Sequence, residues 1–81
     1  MNVNINEIEK VFQDAFNSKV TITLETKKED LSEWDSLNHL SLIVELEDKY
    51  KINFTKDEII EMNAVNMIVE ILKRKLNTDE V

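Results

Sequence analysis

The chain has 81 residues and contains no glycine, no proline and no cysteine. Average usage would supply roughly six glycines and four prolines. Their absence excludes collagen-like and Pro-rich proteins, and also the glycine-rich loops that bind nucleotide phosphates. Seventeen acidic against ten basic residues give a net charge of −7. This balance argues against a nucleic-acid partner, because such proteins use Lys and Arg to neutralise phosphates.

The same composition limits metal binding and membrane insertion. A single histidine and no cysteine leave no zinc site, and an EF-hand loop would need a glycine. No apolar run is longer than three residues, as at 42–44, so we expect no membrane span. The first four residues have neither the basic nor the apolar region of a signal peptide. We therefore expect a monomeric, cytoplasmic protein with one domain over residues 1–81, frayed at 1–3 and 77–81.

The first predicted helix follows apolar residues at steps of three and four, namely Ile5, Ile8, Phe12, Ala15 and Phe16. Asn4 is expected to cap its start, with Glu7 in the capping-box position, and Asn17 and Ser18 to end it.

A long loop is predicted next, although residues 20–24 alternate like a strand. No second strand is predicted to pair with them, and a lone strand is not stable. We expect this loop to pack four apolar side chains on the helices: Val20, Ile22, Leu24 and Leu31.

The second predicted helix has apolar residues over more than half of its circumference, which are Leu37, Leu40, Ile43, Val44, Leu46 and Tyr50. Such a helix is expected to be central in the fold, with Asp35 or Ser36 as its cap. A short helix follows, capped by Thr55 with Glu58 three positions later. Asn63 is expected to cap a final helix with the stripe Val65, Ile68, Val69, Leu72 and Leu76. The pattern predicts an all-α, small four-helix bundle of three longer helices and one short helix.

A hydrolytic triad also contains an acidic residue, a serine and a histidine, which occur here as Asp35, Ser36 and His39. Neighbouring residues on one helix cannot reproduce the geometry of nucleophile, base and orienting group, so we expect no enzyme. Taken alone, Ser36 is typical of a helix cap, and His39 is expected at the surface beside it.

The setting of Ser36 carries a resemblance to a known family. The relevant residues are Trp34-Asp35-Ser36-Leu37, Leu40, Leu42, Ile43, Leu46-Glu47-Asp48, Tyr50, Ile52, Asp57-Glu58, Val65 and Ile68. In order and spacing they resemble the acyl carrier protein family over nearly the whole chain. The tripeptide Asp35-Ser36-Leu37 is weak evidence by itself, but it stands at the start of the second helix of an acidic chain of suitable length.

The resemblance implies that a phosphopantetheinyl transferase attaches 4′-phosphopantetheine from coenzyme A to the Ser36 hydroxyl, with Asp35 as part of the motif that the transferase recognises. Acyl groups would then be carried as thioesters on the terminal thiol of this arm and presented to partner enzymes. It implies a phosphoprotein that carries a substrate and catalyses nothing.

The resemblance also implies a docking surface for acyl ligases, synthases or acyltransferases with basic patches. The matching residues are Leu37, Val44, Glu47, Asp48, Glu58 and Glu61. A further set is assigned to the core, where family members shelter an acyl chain: Leu40, Ile43, Leu46, Tyr50, Phe54 and Val65.

Several positions depart from the pattern of carriers in fatty-acid synthesis. Trp34 replaces a small residue, the glycine upstream of the serine is missing, Asn38 and Ser41 stand at positions that are often acidic, and Thr55 stands where proline often begins the third helix. These departures favour a specialised carrier in lipid, polyketide or surface-glycan biosynthesis. An aminoacyl or peptidyl carrier, such as a D-alanyl carrier, remains an alternative. So does a non-carrier helical adaptor in which Ser36 is only a cap.

Overall fold

Four α-helices form the fold, in a computed structural model that describes residues 3–76. They are α1 (Ile5–Phe16), α2 (Ser36–Tyr50), α3 (Lys56–Glu61) and α4 (Val65–Leu76). The long loop between α1 and α2 contains one 3₁₀ turn, Lys28–Asp30. Over the described residues, the predicted all-α bundle of three longer helices and one short helix is confirmed.

The helices begin and end without glycine or proline. Asn4, Asp35 and Thr55 cap α1, α2 and α3, as predicted, since each side chain accepts a backbone N–H of the first turn. Asn17 and Lys51 end α1 and α2 with positive φ angles of 51° and 57°. Glycine is the usual residue in this left-handed conformation and asparagine tolerates it, whereas for Lys51 it is a strained position.

The start of α4 differs from the prediction, because Asn63 is not its cap. The helix begins at Val65, whose N–H donates to the carbonyl of Thr26 at 2.9 Å. A backbone bridge pairs Lys27 with Ala64 beside it. A distant loop segment therefore satisfies this helix end, which a search for local capping residues cannot detect.

The core lies between α1, α2 and α4 and is closed by the long loop and α3. Phe12, Ile8, Leu42, Leu46 and Ile68 are among its fully buried side chains. Five of the six predicted core residues are confirmed as buried: Ile43, Leu46, Tyr50, Phe54 and Val65.

Leu40 is the exception, and its assignment to the core is wrong, since its side chain is 57% exposed. Successive residues of a helix lie about 100° apart, so Leu40 is displaced about 60° from Ile43. That displacement places it beyond the side of α2 that the neighbouring helices cover. The broad apolar arc of α2 is therefore only partly buried.

The long loop packs on α1 through both apolar and polar contacts. Val20 and Ile22 are buried as predicted, but the prediction is wrong for Leu24, which is 44% exposed. Gln13 donates its side-chain amide to the Val20 carbonyl at 3.1 Å, and Glu9 accepts the Ile22 N–H at 3.0 Å. These bonds fix the first part of the loop to α1.

The expectation of frayed ends is wrong for Val3, which is fully buried in the core. Residues 1, 2 and 77–81 lie outside the described residues.

The burial of Tyr50 is expected to make the free energy of unfolding depend on pH. Its hydroxyl is buried without a hydrogen-bond partner among the described residues. Burial, and secondarily the charge of Glu7, raises the pKa of Tyr50 above its ordinary value of 10.0. The folded state therefore holds this proton more tightly than the unfolded state, so the free energy of unfolding should fall as pH rises above 10.0.

Tyr50→Phe should remove this part of the alkaline destabilisation. At neutral pH the variant should be as stable as the wild type or up to about 1 kcal/mol more stable, because an unpaired buried hydroxyl is removed. Urea unfolding of both proteins from pH 7 to 11 measures this. If the free energies of unfolding of wild type and variant change with pH in parallel, the alkaline destabilisation does not come from Tyr50.

Candidate functional site

Ser36 is the first residue of α2, and its side chain is exposed. Asp35 Oδ1 accepts the N–H of Asn38 at 2.8 Å, and the Asn38 side-chain amide donates to the carbonyl of Glu33 at 2.7 Å. These bonds fix the backbone on both sides of Ser36. Its hydroxyl makes no hydrogen bond to another described residue, so it is presented to the outside on a fixed helix end.

An anionic group on Ser36 would fit this helix end. The N–H groups of Ser36 and Leu37 bond to no other described residue, because the first N–H groups of a helix have no partner within it. Together with the positive end of the helix dipole, they favour a negatively charged phosphodiester. The Asp35 carboxylate is next to this position, but one of its oxygens is already bonded to Asn38.

His39 is buried, with 8% of its surface exposed, so the prediction that it lies at the surface is wrong. Its Nδ1 accepts the indole N–H of Trp34 at 2.9 Å, and its Nε2 lies 2.9 Å from the carbonyl of Ile59 on α3. Since Nδ1 is an acceptor, the ring is neutral with its proton on Nε2, which donates to Ile59. His39 therefore joins the loop before Ser36 to α3.

Trp34 anchors the same loop in the core. Its ring packs edge-on against Phe12, with 4.9 Å between the ring centroids, and also contacts Phe16. Aromatic pairs at this distance add to the stabilisation from burial. Ser36 is thus only two residues from a fixed aromatic cluster.

The outer face of α2, defined here by Leu37, Leu40 and Val44, is apolar and exposed. These side chains are 75%, 57% and 62% exposed, and they line a shallow hollow with Ser41 and Glu45. Single exposed apolar residues are ordinary, but a contiguous group is typical of an interaction site. Leu37 and Val44 are thus exposed, as the predicted docking surface requires, and Leu40 lies beside them.

The predicted acidic residues of the docking surface divide into two groups. Glu47 accepts the N–H of Phe54 at 2.9 Å and so fixes the chain between α2 and α3. Glu58 bonds to the N–H of Thr55 and lies 2.9 Å from the Lys75 ammonium. The Lys75 hydrogen bond, followed by that from Thr55, lowers the pKa of Glu58. Asp48 and Glu61 are exposed, and Asp48 has only a long contact with Lys51, of 3.8 Å.

We compared the chain with known proteins. No protein-family model matches the chain, and no curated protein matches it. Among solved structures, it is similar to the solution NMR structure of the holo acyl carrier protein from Geobacter metallireducens. The TM-score is 0.81 and the identity is 32%, over 90% of this chain and 85% of that chain. The chain belongs to the acyl carrier protein family.

Membership in the acyl carrier protein family makes this protein a carrier and not an enzyme. In the described residues, no group of three His, Asp or Glu side chains is arranged to hold a metal ion. None of the helices described is both long enough and apolar enough to cross a membrane.

Sequence reasoning missed the contact between Trp34 and His39 in this carrier. A signal for it was present, since these residues are the only tryptophan and the only histidine and lie five positions apart across the start of α2. Their ring nitrogens are complementary as donor and acceptor. His39 was considered together with Ser36 and was therefore predicted at the surface, whereas its contact with Trp34 goes with a buried position.

Proposed function

We propose that this carrier holds acyl groups as thioesters on a 4′-phosphopantetheine arm attached to Ser36. The observation that supports this most directly is the exposed Ser36 hydroxyl at the start of α2, directly after the N-cap Asp35. The structure that the chain matches is that of a holo acyl carrier protein. We also propose that Asp35, besides capping the helix, is part of the motif that a transferase recognises.

In this proposal, Ser36 Oγ is the nucleophile in a reaction catalysed by a phosphopantetheinyl transferase. Oγ bonds to the phosphorus that bears pantetheine in coenzyme A, the anhydride P–O bond breaks, and adenosine 3′,5′-bisphosphate leaves. The hydroxyl proton passes to a base on the transferase. The N–H groups of Ser36 and Leu37 then face the anionic diester. The bound group supplies a thiol, which this chain lacks because it has no cysteine.

The test is the conversion of the purified wild-type chain by coenzyme A and a broad-specificity transferase. Intact-mass spectrometry should show one phosphopantetheinyl group per chain. A wild-type chain that gains no mass while a known carrier converts in the same tube would contradict the proposal. A broad-specificity transferase accepts coenzyme A with different attached groups. An acyl carrier is therefore distinguished from an aminoacyl carrier by identifying the enzyme that loads it.

We further propose that partner enzymes dock on the outer face of α2, with Asp48 and Glu61 as charged contacts. Leu37, Val44 and Asp48 lie nearly in line along the helix, because they are seven and four residues apart. The net charge of −7 favours partners with basic surfaces. Glu47 and Glu58, which the sequence placed in the same surface, have hydrogen bonds within the fold, and we assign them a structural role.

Replacing Leu37 and Val44 together by alanine should lower kcat/KM of the transferase about tenfold or more, since burying a large apolar side chain contributes about 1.5–3 kcal/mol and tenfold equals about 1.4 kcal/mol. The melting temperature should stay unchanged, because both side chains are exposed in the free protein.

Leu24→Ala is the matched control for this double variant, because Leu24 is an exposed leucine that lies in the long loop and not on α2. It should convert at the wild-type rate. Equal kcat/KM values for the double variant and the wild type would exclude Leu37 and Val44 from the transferase contact.

A further inference from the structure

A groove lies between the 3₁₀ segment of the long loop and the start of α4. Its volume is about 630 Å³, and it is lined by Lys27, Lys28, Glu29, Trp34, Asn66 and Met67, among others. We call it the Lys27 groove. A second hollow of about 260 Å³ adjoins it, since Lys28 and Asn63 line both, and this hollow reaches His39 on α2.

The Lys27 groove is close to Ser36 along the chain. Trp34 contributes to its wall and is two residues from Ser36, a span of at most about 7 Å. The hydrogen bond from Trp34 to His39 and the packing of Trp34 on Phe12 hold this wall in place. A phosphopantetheine arm on Ser36 is much longer than this span, so its thiol end can reach the groove.

The charge of the Lys27 groove is opposite to that of the whole chain. Lys27 and Lys28 outnumber Glu29 among its charged lining residues, whereas the protein has a net charge of −7. Within residues 3–76 neither lysine forms an ion pair; the ion pairs there join Lys51 to Asp48 and Lys75 to Glu58. The side-chain amide of Asn66 and the thioether of Met67 add a polar and an apolar contact.

We propose that the Lys27 groove binds the end of an acyl group that carries a free carboxylate, while that group is attached to the arm on Ser36. Lys27 and Lys28 pair with the carboxylate, and Met67 contacts the methylene groups of the cargo. A neutral acyl group of the same length lacks the ionic contact and stays in solvent. This inference rests on the proposed function and adds a substrate class to it.

The test compares two cargoes that differ only in their ends. A broad-specificity transferase loads Ser36 from succinyl-coenzyme A or from butyryl-coenzyme A, and intact mass confirms each product. Backbone and side-chain NMR signals are then compared between the two forms. The differences should concentrate on Lys27, Lys28, Asn66 and Met67, and they should shrink as sodium chloride is raised, since exposed ion pairs are screened.

Lys27→Gln with Lys28→Gln should lower the ratio of docked to free succinyl cargo about fivefold, as expected for the loss of two exposed ion pairs. Lys10→Gln with Lys19→Gln removes the same charge from exposed positions outside the groove lining and should leave the differences intact.

Two results would overturn the inference in distinguishable ways. If both cargoes load but their spectra match at the groove, or if the two double variants behave alike, the Lys27 groove does not bind the carboxylate, and the proposed function stands. If neither cargo loads, the proposed function fails and the groove inference fails with it. The sodium chloride series on the wild-type protein tests the same ionic contact without any variant: NMR differences that do not shrink with salt would also overturn the inference.

Discussion

Ser36→Ala is expected to abolish phosphopantetheine attachment, leaving the mass of the chain unchanged after incubation with coenzyme A and a transferase. The reaction needs an exposed hydroxyl at the first position of α2, and alanine keeps the helix while removing that oxygen. The cap of α2 should survive, because it is the Asp35 side chain that accepts the Asn38 N–H. The variant should therefore have the same melting temperature as the wild type and differ from it only in the attachment of phosphopantetheine.

Two serines serve as controls for this variant. Ser32 precedes the site in the long loop, and Ser41 lies on α2 beside its outer face. Ser32→Ala and Ser41→Ala should each gain one phosphopantetheinyl group. Conversion of Ser36→Ala would place the attachment elsewhere in the chain, and peptide mapping of the product would locate it.

The sequence predicts the helices well because their ends depend on neighbouring residues. Asn4, Asp35 and Thr55 each accept an N–H within three positions, so the caps are visible in the sequence. The start of α4 depends on Thr26, almost forty positions earlier. No local pattern contains that contact, and the prediction of Asn63 as the cap failed for this reason.

For the candidate site, the sequence predicted where Ser36 lies but not how the residues around it are arranged. Ser36 could be placed at the start of α2 from the sequence. His39 and Leu40 could not be assigned correctly, since adjacent residues lie about 100° apart on a helix and α2 has apolar side chains around most of its surface. Hydropathy favours burying Leu40. The structure buries His39 because Trp34 and the carbonyl of Ile59 satisfy both ring nitrogens, which lowers the cost of burying a polar group.

Trp34→Ala is expected to cost about 3–5 kcal/mol of unfolding free energy, the range for removing a large aromatic side chain from a core. Trp34 is 2% exposed and packs on Phe12, and its loss also leaves His39 Nδ1 without a donor. At about 0.05–0.15 kcal/mol per residue, a chain of 81 residues has about 4–12 kcal/mol in total. The loss is therefore a large share of the total stability, and the variant should melt well below the wild type.

Trp34→Phe separates the hydrogen bond from the packing and keeps the test informative if the alanine variant does not fold. Phenylalanine preserves an aromatic ring against Phe12 but cannot donate to His39, so about 1–3 kcal/mol should be lost in urea unfolding. In a double-mutant cycle with His39→Ala, the two losses should couple by at least about 0.5 kcal/mol. Leu37→Ala is the control for these variants. Because Leu37 is 75% exposed, its replacement should change the free energy of unfolding by no more than about 0.5 kcal/mol. Additive losses at Trp34 and His39 would show that their contact does not hold the loop before Ser36.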